Sequence, residues 1–194
     1  MKIHTLKVGP ISTNCYIVED ETSKEALIID PGAEAEKILK LIKEKGLKPL
    51  YIVITHGHFD HISANRELKA ALDIPILMHE ADVFGLQTGD SPPADRFLKE
   101  GDALDVGSLR FEVIENPGHT PGGISFYNKG EKVLFSGDTL FYGTWGRTDL
   151  RFSSEIDMFN SLKKLLNLPP ETKVYPGHGW TTTIGNEQGL LNEL

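Results

Sequence analysis

Three of the seven histidines of this 194-residue chain fall within six positions, and an aspartate lies among them. The segment reads His56-Gly57-His58-Phe59-Asp60-His61 and follows the apolar run at residues 50–54, which predicts a buried strand. Imidazole nitrogens and carboxylate oxygens, with no thiolate beside them, are ligands that suit zinc, iron or manganese. The segment therefore predicts a metal site directly after a strand.

Four further segments share one construction, an apolar strand that ends in a glycine-containing turn with an acid or a histidine. The polar residues in these turns are Asp30, His119, Asp138 and His178. Ligand sites in α/β proteins lie beyond the carboxyl ends of strands, so we expect these turns to converge on the histidine segment. Together the segments supply five imidazoles and up to three carboxylates, more than one tetrahedral ion takes. This number favours two adjacent ions with a shared carboxylate, each keeping an open position for catalysis.

The spacing of apolar residues predicts strands and helices in two successive groups. The first group has predicted strands at residues 3–8, 14–18, 26–29, 50–54 and 75–78, and helices at 33–45 and 63–72. Gly46 is placed to end the first of these helices. The second group has predicted strands at residues 110–114, 123–127, 132–135 and 173–175, and a helix at 155–166. This order predicts an α/β fold, a four-layer αββα sandwich with helices outside two sheets, in a single domain over residues 1–194.

The helix predicted at residues 155–166 has a start signal and an apolar face. Ser154 is followed three residues later by Asp157, which resembles a capping box. The predicted buried face consists of apolar residues near helical spacing, which are Ile156, Phe159, Leu162 and Leu166.

The composition disfavours several classes of partner. A formal net charge of −8 gives no general attraction to nucleic acid or to anionic membranes. No apolar stretch reaches the length of a membrane span, and no secretory leader pattern opens the chain. The single cysteine, Cys15, rules out an internal disulfide and is predicted to be a buried strand residue. These features predict a cytoplasmic protein.

The order of the candidate ligands resembles the metallo-β-lactamase fold superfamily over nearly the whole chain. The resemblance rests on the histidine segment followed by His119, Asp138 and His178. The surrounding residues 137–141, with Gly146 and Arg147 after them, are similar to the glyoxalase II group of thioester hydrolases. The resemblance implies two metal sites bridged by Asp138, the first held by His56, His58 and His119 and the second by Asp60, His61 and His178.

The resemblance also implies supporting and substrate-binding residues. Asp30 has no ligand role in the family and is expected to steady the histidine segment from behind the metals. Arg147 takes the position of a family lysine that binds glutathione, and Trp180 that of a family tyrosine. Glyoxalase II enzymes carry a further helical segment after the last histidine, whereas this chain ends sixteen residues beyond His178. We therefore expect a small-molecule thioester substrate, with hydroxyacylglutathione as one form of it.

These observations lead to the hypothesis of a dinuclear metal hydrolase of small thioesters, with two divalent ions that are zinc or, as alternatives, iron or manganese. A hydroxide that bridges the ions would attack the carbonyl, and Asp60 would orient the hydroxide and relay its proton. The closest alternative is a persulfide dioxygenase, because such enzymes resemble the same group and use one Fe(II). His56, His119 and Asp138 would hold that iron.

Two other functions stay open as alternatives. A phosphodiesterase or nuclease of the same fold would carry a basic groove, which this acidic chain does not indicate. A non-catalytic binding module would hold metal without turning over any ester. The oligomeric state, the acyl group and the thiol carrier are not specified by the sequence.

Overall fold

Two six-stranded sheets form the centre of the computed structural model, which describes residues 1–193. The first sheet contains, in spatial order, β1 (Lys2–Val8), β2 (Thr13–Glu19), β3 (Glu25–Ile29), β4 (Lys48–Val53), β5 (Ile76–Met78) and β6 (Arg96–Phe97). The second contains β7 (Ala103–Val106), β8 (Leu109–Glu115), β9 (Ile124–Asn128), β10 (Val133–Gly137), β13 (Lys173–Pro176) and β14 (Thr182–Thr183). A separate hairpin consists of β11 (Leu140–Phe141) and β12 (Thr144–Trp145).

Over the described residues 1–193, six helices accompany the sheets. They are α1 (Ala35–Lys45), α2 (Phe59–Ile62), α3 (Asn65–Leu72), α4 (Val83–Thr88), α5 (Glu155–Leu166) and α6 (Ile184–Glu187), with 3-10 turns at Glu80–Asp82 and Gln188–Asn192. Gly46 ends α1 in the left-handed conformation, and its N–H bonds to the carbonyls of Ile42 and Lys43, as the sequence predicts. Within the described residues, no helix has the length and apolar character that crossing a bilayer requires.

Parallel strand pairs bring distant segments to one edge of each sheet. In the first sheet β3 and β4 are parallel neighbours, so the turn after β3 and the histidine segment after β4 leave the sheet at the same end. In the second sheet β10 and β13 are parallel, and α5 lies in the connection between them. The residues that follow β10 and β13 therefore also meet at one edge.

Apolar side chains divide into three layers, which confirms the four-layer αββα fold. Successive residues of a strand face opposite sides of its sheet. In β2, Cys15 and Ile17 pack with α1 and α3, whereas Tyr16 and Val18 pack between the sheets. In β10, Leu134 faces away from the other sheet and packs against α5. Cys15 is fully buried, as predicted.

The helix predicted at residues 63–72 is shorter than expected and follows another helical turn. The second half of the histidine segment itself forms α2, and α3 begins only at Asn65. The short strands β6, β7, β11, β12 and β14 were not predicted from the sequence. Most contain two residues, too few for an alternating pattern to be visible.

The predicted buried face of α5 is wrong at one position. Ser154 caps the helix by accepting a hydrogen bond from the N–H of Asp157, as expected. Ile156, however, is 75% exposed, because at 100° per residue it lies on the opposite side of the helix from buried Met158. The residues that do face the sheet share helical spacing and are Met158, Leu162, Leu165 and Leu166.

Candidate metal centre

The ends of four strands deliver polar side chains to one place between the sheets. Asp30 follows β3, and the histidine segment follows β4, with Asp60 and His61 on the first turn of α2. Asp138 directly follows β10, and His178 comes two residues after β13. His119 lies in the connection between β8 and β9. Within the described residues, six of the seven predicted ligands fall, with Asp30, into three groups that could hold a metal ion. The seventh predicted ligand, Asp138, lies outside these groups.

The first group contains three imidazoles. His56 Nε2 and His58 Nδ1 are 3.1 Å apart, and His119 Nε2 lies 3.0 Å from the same nitrogen of His58. His56 and His119 are buried, and His58 is partly exposed. Three ring nitrogens that face one point at such short distances can bind one metal ion together, as in zinc sites.

The second group contains two imidazoles and a carboxylate. Asp60 Oδ2 lies 3.3 Å from His61 Nε2 and 3.2 Å from His178 Nε2, and the two nitrogens are 3.3 Å apart. His61 is buried, while the other two are partly exposed. One side of this group is therefore open to solvent or substrate.

Asp138 lies between the two groups. Its Oδ2 is 3.6 Å from His119 Nε2 and 3.6 Å from His178 Nε2, so one oxygen faces a member of each group. Its Oδ1 is buried and has no hydrogen-bond partner among the described residues. A buried carboxylate oxygen without a donor is costly unless a cation binds it. A Cβ atom at Gly177 would overlap this oxygen, so only glycine fits there.

Three of the imidazoles are oriented by a hydrogen bond on the nitrogen that faces away from the centre. His56 Nδ1 lies 3.1 Å from the hydroxyl of Thr55, and His61 Nδ1 lies 2.9 Å from Asp30 Oδ2. His119 Nδ1 is 2.9 Å from the carbonyl oxygen of Arg147. With a metal ion bound, these partners would accept the Nδ1 proton and each Nε2 would present its lone pair to the ion. The donor set and its supports fit divalent metal ions.

Asp30 supports two of these contacts at once. Its carboxylate accepts the backbone N–H of Thr55 at 2.7 Å, the Thr55 hydroxyl at 2.6 Å and His61 at 2.9 Å. Its oxygens are also close enough to His56 and His61 to belong to a third possible metal group. Because three donors already occupy the carboxylate, the geometry favours the supporting role that the sequence predicts.

Burial and neighbouring charges shift the pKa values of the site residues. Burial and the nearby imidazole of His61 hold the pKa of His56 well below its usual 6.5. Burial also acts to lower the pKa of His61, but carboxylates, above all that of Asp138, raise it well above 6.5. Burial would raise the pKa of Asp60, yet hydrogen bonds from His178 and His61 keep it far below 3.8. The imidazole of His56 is therefore neutral, and the carboxylates around His61 create an electrostatic field that attracts cations.

The N-terminal end of β2 supplies contacts that the sequence does not reveal. The Thr13 hydroxyl donates to Asp60 Oδ2 at 2.8 Å. The Asn14 side chain donates to the carbonyl of Pro176 at 3.0 Å, and the Tyr16 hydroxyl donates to the same carbonyl at 2.6 Å. These side chains fix the carboxylate and the loop of the second group. No motif marks them, since Thr13 precedes Asp60 by 47 positions.

The two predicted substrate-binding residues lie at the surface. The guanidinium of Arg147 forms two hydrogen bonds, of 2.6 and 2.7 Å, with the carboxylate of Asp149. Trp180 is 77% exposed, and Lys7 Nζ lies 5.7 Å from the centre of its ring. Neither side chain belongs to the candidate metal groups.

Comparison with known proteins identifies relatives that match almost end to end. A probable metallo-hydrolase of Bacillus subtilis (strain 168), YqgX, is 40% identical over 97% of this chain and 95% of its own length. The hydroxyacylglutathione hydrolase GloC of Haemophilus influenzae is 37% identical, with the same coverage of 97% and 95%.

Solved structures show the same fold. A B3 metallo-beta-lactamase, BLEG-1, has a TM-score of 0.89 at 38% identity and covers 97% of both chains. TTHA1623, solved in a di-iron-bound form, has a TM-score of 0.88 at 42% identity, covering 95% of this chain and 96% of its own. ETHE1 from Myxococcus xanthus has a TM-score of 0.84 at 30% identity, covering 97% and 82%. The family model of the metallo-beta-lactamase superfamily matches residues 8–178, and this chain belongs to that superfamily.

Proposed function

We propose that this chain is a hydrolase that uses two divalent metal ions to cleave thioesters of small acyl groups. The observation that carries the proposal is the pair of ligand groups on either side of Asp138. Hydroxyacylglutathione hydrolase, the name of the relative from Haemophilus influenzae, supports a thioester of that type as substrate.

The completeness of the second group supports two ions rather than one. A lone iron held by His56, His119 and Asp138 would need neither Asp60 nor His178 as a ligand. Both of these nevertheless lie within about hydrogen-bond distance of His61, and Thr13 orients the carboxylate. This arrangement offers a second ion its own ligands, and the number of metal ions per chain separates the hydrolase from the dioxygenase.

The protein groups have separate tasks in the proposed reaction. When bound, two divalent ions would polarise the carbonyl and lower the pKa of a water molecule to near neutrality. The carboxylates of Asp30, Asp60 and Asp138 offset much of the positive charge of such ions. Thr13 donates to Asp60 Oδ2, which leaves Asp60 fixed in place to orient the attacking water and accept its proton. Asp60 is thus the proposed catalytic residue.

For the metal itself we propose zinc, with iron as the main alternative and manganese as a further one. Histidine and carboxylate ligands suit all three. The neighbour TTHA1623 was solved in a di-iron-bound form, which supports iron as the alternative.

We propose a small molecule as the partner of this site, with no nucleic acid and no membrane. The formal net charge of −8 disfavours both of the latter. We propose Arg147 and Trp180 as residues that hold an anionic thiol carrier, whose binding would displace Asp149 from the guanidinium. The single cysteine is buried without a disulfide, which supports a cytoplasmic location.

Metal content and substrate turnover test this proposal together. We expect two ions per chain by elemental analysis, and hydrolysis in a panel of thioesters with different acyl groups and thiol carriers. His58→Ala and Asp138→Ala should each lower kcat/KM by about a hundredfold or more, since loss of a supporting partner alone costs 10–100-fold. His4→Ala is the matched control, because His4 bonds to Glu19 and belongs to none of the metal groups.

Three outcomes would contradict the proposal. One iron per chain with oxygen consumption on a glutathione persulfide would establish the oxygenase instead. Turnover of a β-lactam without turnover of any thioester would overturn the substrate class. A complete metal complement with no turnover on thioesters, esters, β-lactams or phosphodiesters would indicate a binding module.

A further inference from the structure

Asp82 is a fully buried carboxylate outside the three metal groups. It ends the 3-10 turn Glu80–Asp82 that follows β5. A buried carboxylate is stable only where hydrogen bonds or cations replace the water it has lost. Its partners therefore show what this residue holds together.

Both oxygens of Asp82 accept hydrogen bonds from backbone amides near the first metal group. Oδ2 accepts from the N–H of Gly57 at 2.8 Å, and Oδ1 accepts from the N–H of Gly122 at 2.6 Å. Gly57 lies between His56 and His58, and Gly122 follows His119 by three residues. One rigid carboxylate thus joins the two loops that carry the three imidazoles of this group.

The turn that carries Asp82 is itself fixed at both ends. His79 Nδ1 accepts the N–H of Ala81 at 3.1 Å, and the His79 carbonyl accepts the N–H of Asp82 at 3.2 Å. On the other side, α4 follows directly, and Gly85 packs against the backbone of Gly57. Asp82 therefore has a fixed position, and its two hydrogen bonds hold the loops of Gly57 and Gly122 in place.

We propose that Asp82 is a positioning residue of the first metal site. It sets the separation of the His56–His58 loop from the His119 loop, so that the three ring nitrogens converge before an ion arrives. Preorganised ligands lose less conformational freedom on binding, and this raises metal affinity. The proposal rests on the proposed metal centre and does not depend on the substrate.

The variant Asp82→Asn tests this role with little change in shape. Its amide keeps one acceptor oxygen but turns an NH₂ group towards one of the two backbone N–H donors. The matched control is Asp20→Asn. Asp20 is also buried, and it joins two turns by accepting the amides of Ser108 at 2.5 Å and Thr22 at 2.9 Å, at the far end of β2 from Thr13.

The measurement is Zn²⁺ affinity by competition with a chromophoric chelator, in a His178→Ala background that removes a ligand of the second group. We expect Asp82→Asn to weaken the ion bound by the first group by about 10–100-fold, the usual cost of losing an outer partner, and Asp20→Asn to leave it unchanged. The absorption spectrum of Co²⁺ in the same site should change only in the Asp82 variant. Asp82→Ala, which removes both acceptors, should shift the affinity in the same direction by at least as much.

The proposal is overturned if both Asp82 variants bind Zn²⁺ as tightly as the parent. It is also overturned if Asp20→Asn weakens binding by the same factor, since the effect would then be a general loss of stability. Thioester hydrolysis does not enter the readout, so an error in the proposed substrate leaves this result intact. A parent chain that binds no ion would overturn both proposals.

Discussion

Several candidate ligands are each held by one specific hydrogen bond to a residue behind them. His61 is held by Asp30, His56 by Thr55 and Asp60 by Thr13. These bonds select one tautomer and one ring orientation, so that the metal-facing atoms are aligned before binding. Residues that never touch the ion therefore contribute to its affinity.

Replacing Thr13 should affect the second metal site selectively. Thr13→Val keeps the shape but removes the donor to Asp60 Oδ2, whereas Thr13→Ser keeps the hydroxyl. We expect the valine variant to bind its second ion about 10–100-fold more weakly and the serine variant to stay close to the parent. Stepwise Zn²⁺ titration followed by calorimetry measures both steps. If Thr13→Val bound its second Zn²⁺ as tightly as the parent does, the role of Thr13 would be contradicted.

The pH dependence of stability should reveal the lowered pKa of Asp20. Hydrogen bonds from the amides of Ser108 and Thr22 lower its pKa from 3.8 to about 2 in the folded protein. A carboxyl with a lowered pKa stabilises the fold above its unfolded pKa, and this contribution is lost as the pH falls through the folded value. The difference in unfolding free energy between parent and Asp20→Asn should therefore be largest above pH 5 and shrink between pH 4 and 2. Urea unfolding across this range measures it, and a constant difference would contradict the assignment.

At the scale of elements, the histidine segment changes conformation halfway through. His58 is extended, and α2 begins at the next residue. His56 and His58 lie in the loop between β4 and α2 and reach the first group together. Asp60 and His61 lie on the helical turn and reach the second group. The change from loop to helix thus divides one short motif between the two candidate metal groups.

The contact between α4 and the histidine loop should not tolerate a larger residue. A Cβ atom at Gly85 would overlap the carbonyl oxygen of Gly57, so Gly85→Ala must push α4 and the loop apart. We expect a loss of about 1–3 kcal/mol in unfolding free energy, typical of overpacking, together with weaker binding of the first ion. Urea unfolding and Zn²⁺ titration measure the two effects. Gly189→Ala is the control, because nothing lies within 4 Å of a Cβ there, and an equal loss in both variants would contradict the contact.

At the scale of the whole molecule, the apolar core is separate from the candidate metal centre. Three apolar layers hold the helices and sheets together, whereas the candidate ligands lie beyond the ends of the strands. The largest buried side chains, Phe111, Phe126 and Phe135, lie between the two sheets. The protein should therefore fold without metal, unlike a zinc finger.

Removing the metal should lower the melting temperature but leave the fold intact. An ion present at 100 times its Kd stabilises the native state by about 2.7 kcal/mol. For a chain of this size each kcal/mol corresponds to about 2–4 °C, so chelation should lower Tm by about 5–10 °C per ion. Calorimetry with a chelator, followed by readdition of Zn²⁺ at rising concentration, measures the shift. Complete unfolding on chelation, seen by circular dichroism, would contradict this view of the core.

Much of the fold, and which residues lie at the candidate metal centre, could be predicted because the sequence signals for both are local in the chain. Alternating apolar residues mark strands such as β2, and a glycine turn after a strand marks Asp138 and His178. The predicted ends of the helices were less accurate, as the split between α2 and α3 shows. Helix boundaries depend on tertiary contacts as well as on helix propensity. The metal-ligand roles remain predictions, now supported by geometry.

The sequence by itself determined the ligand types, their attachment to strand ends and the layered fold, because each follows from a few neighbouring residues. Only the tertiary structure decided which groups meet. The pairing of Thr13 with Asp60 and the bridge from Asp82 to Gly57 and Gly122 depend on how sheets and helices pack. Such contacts join residues tens of positions apart, and no local pattern in the chain encodes them.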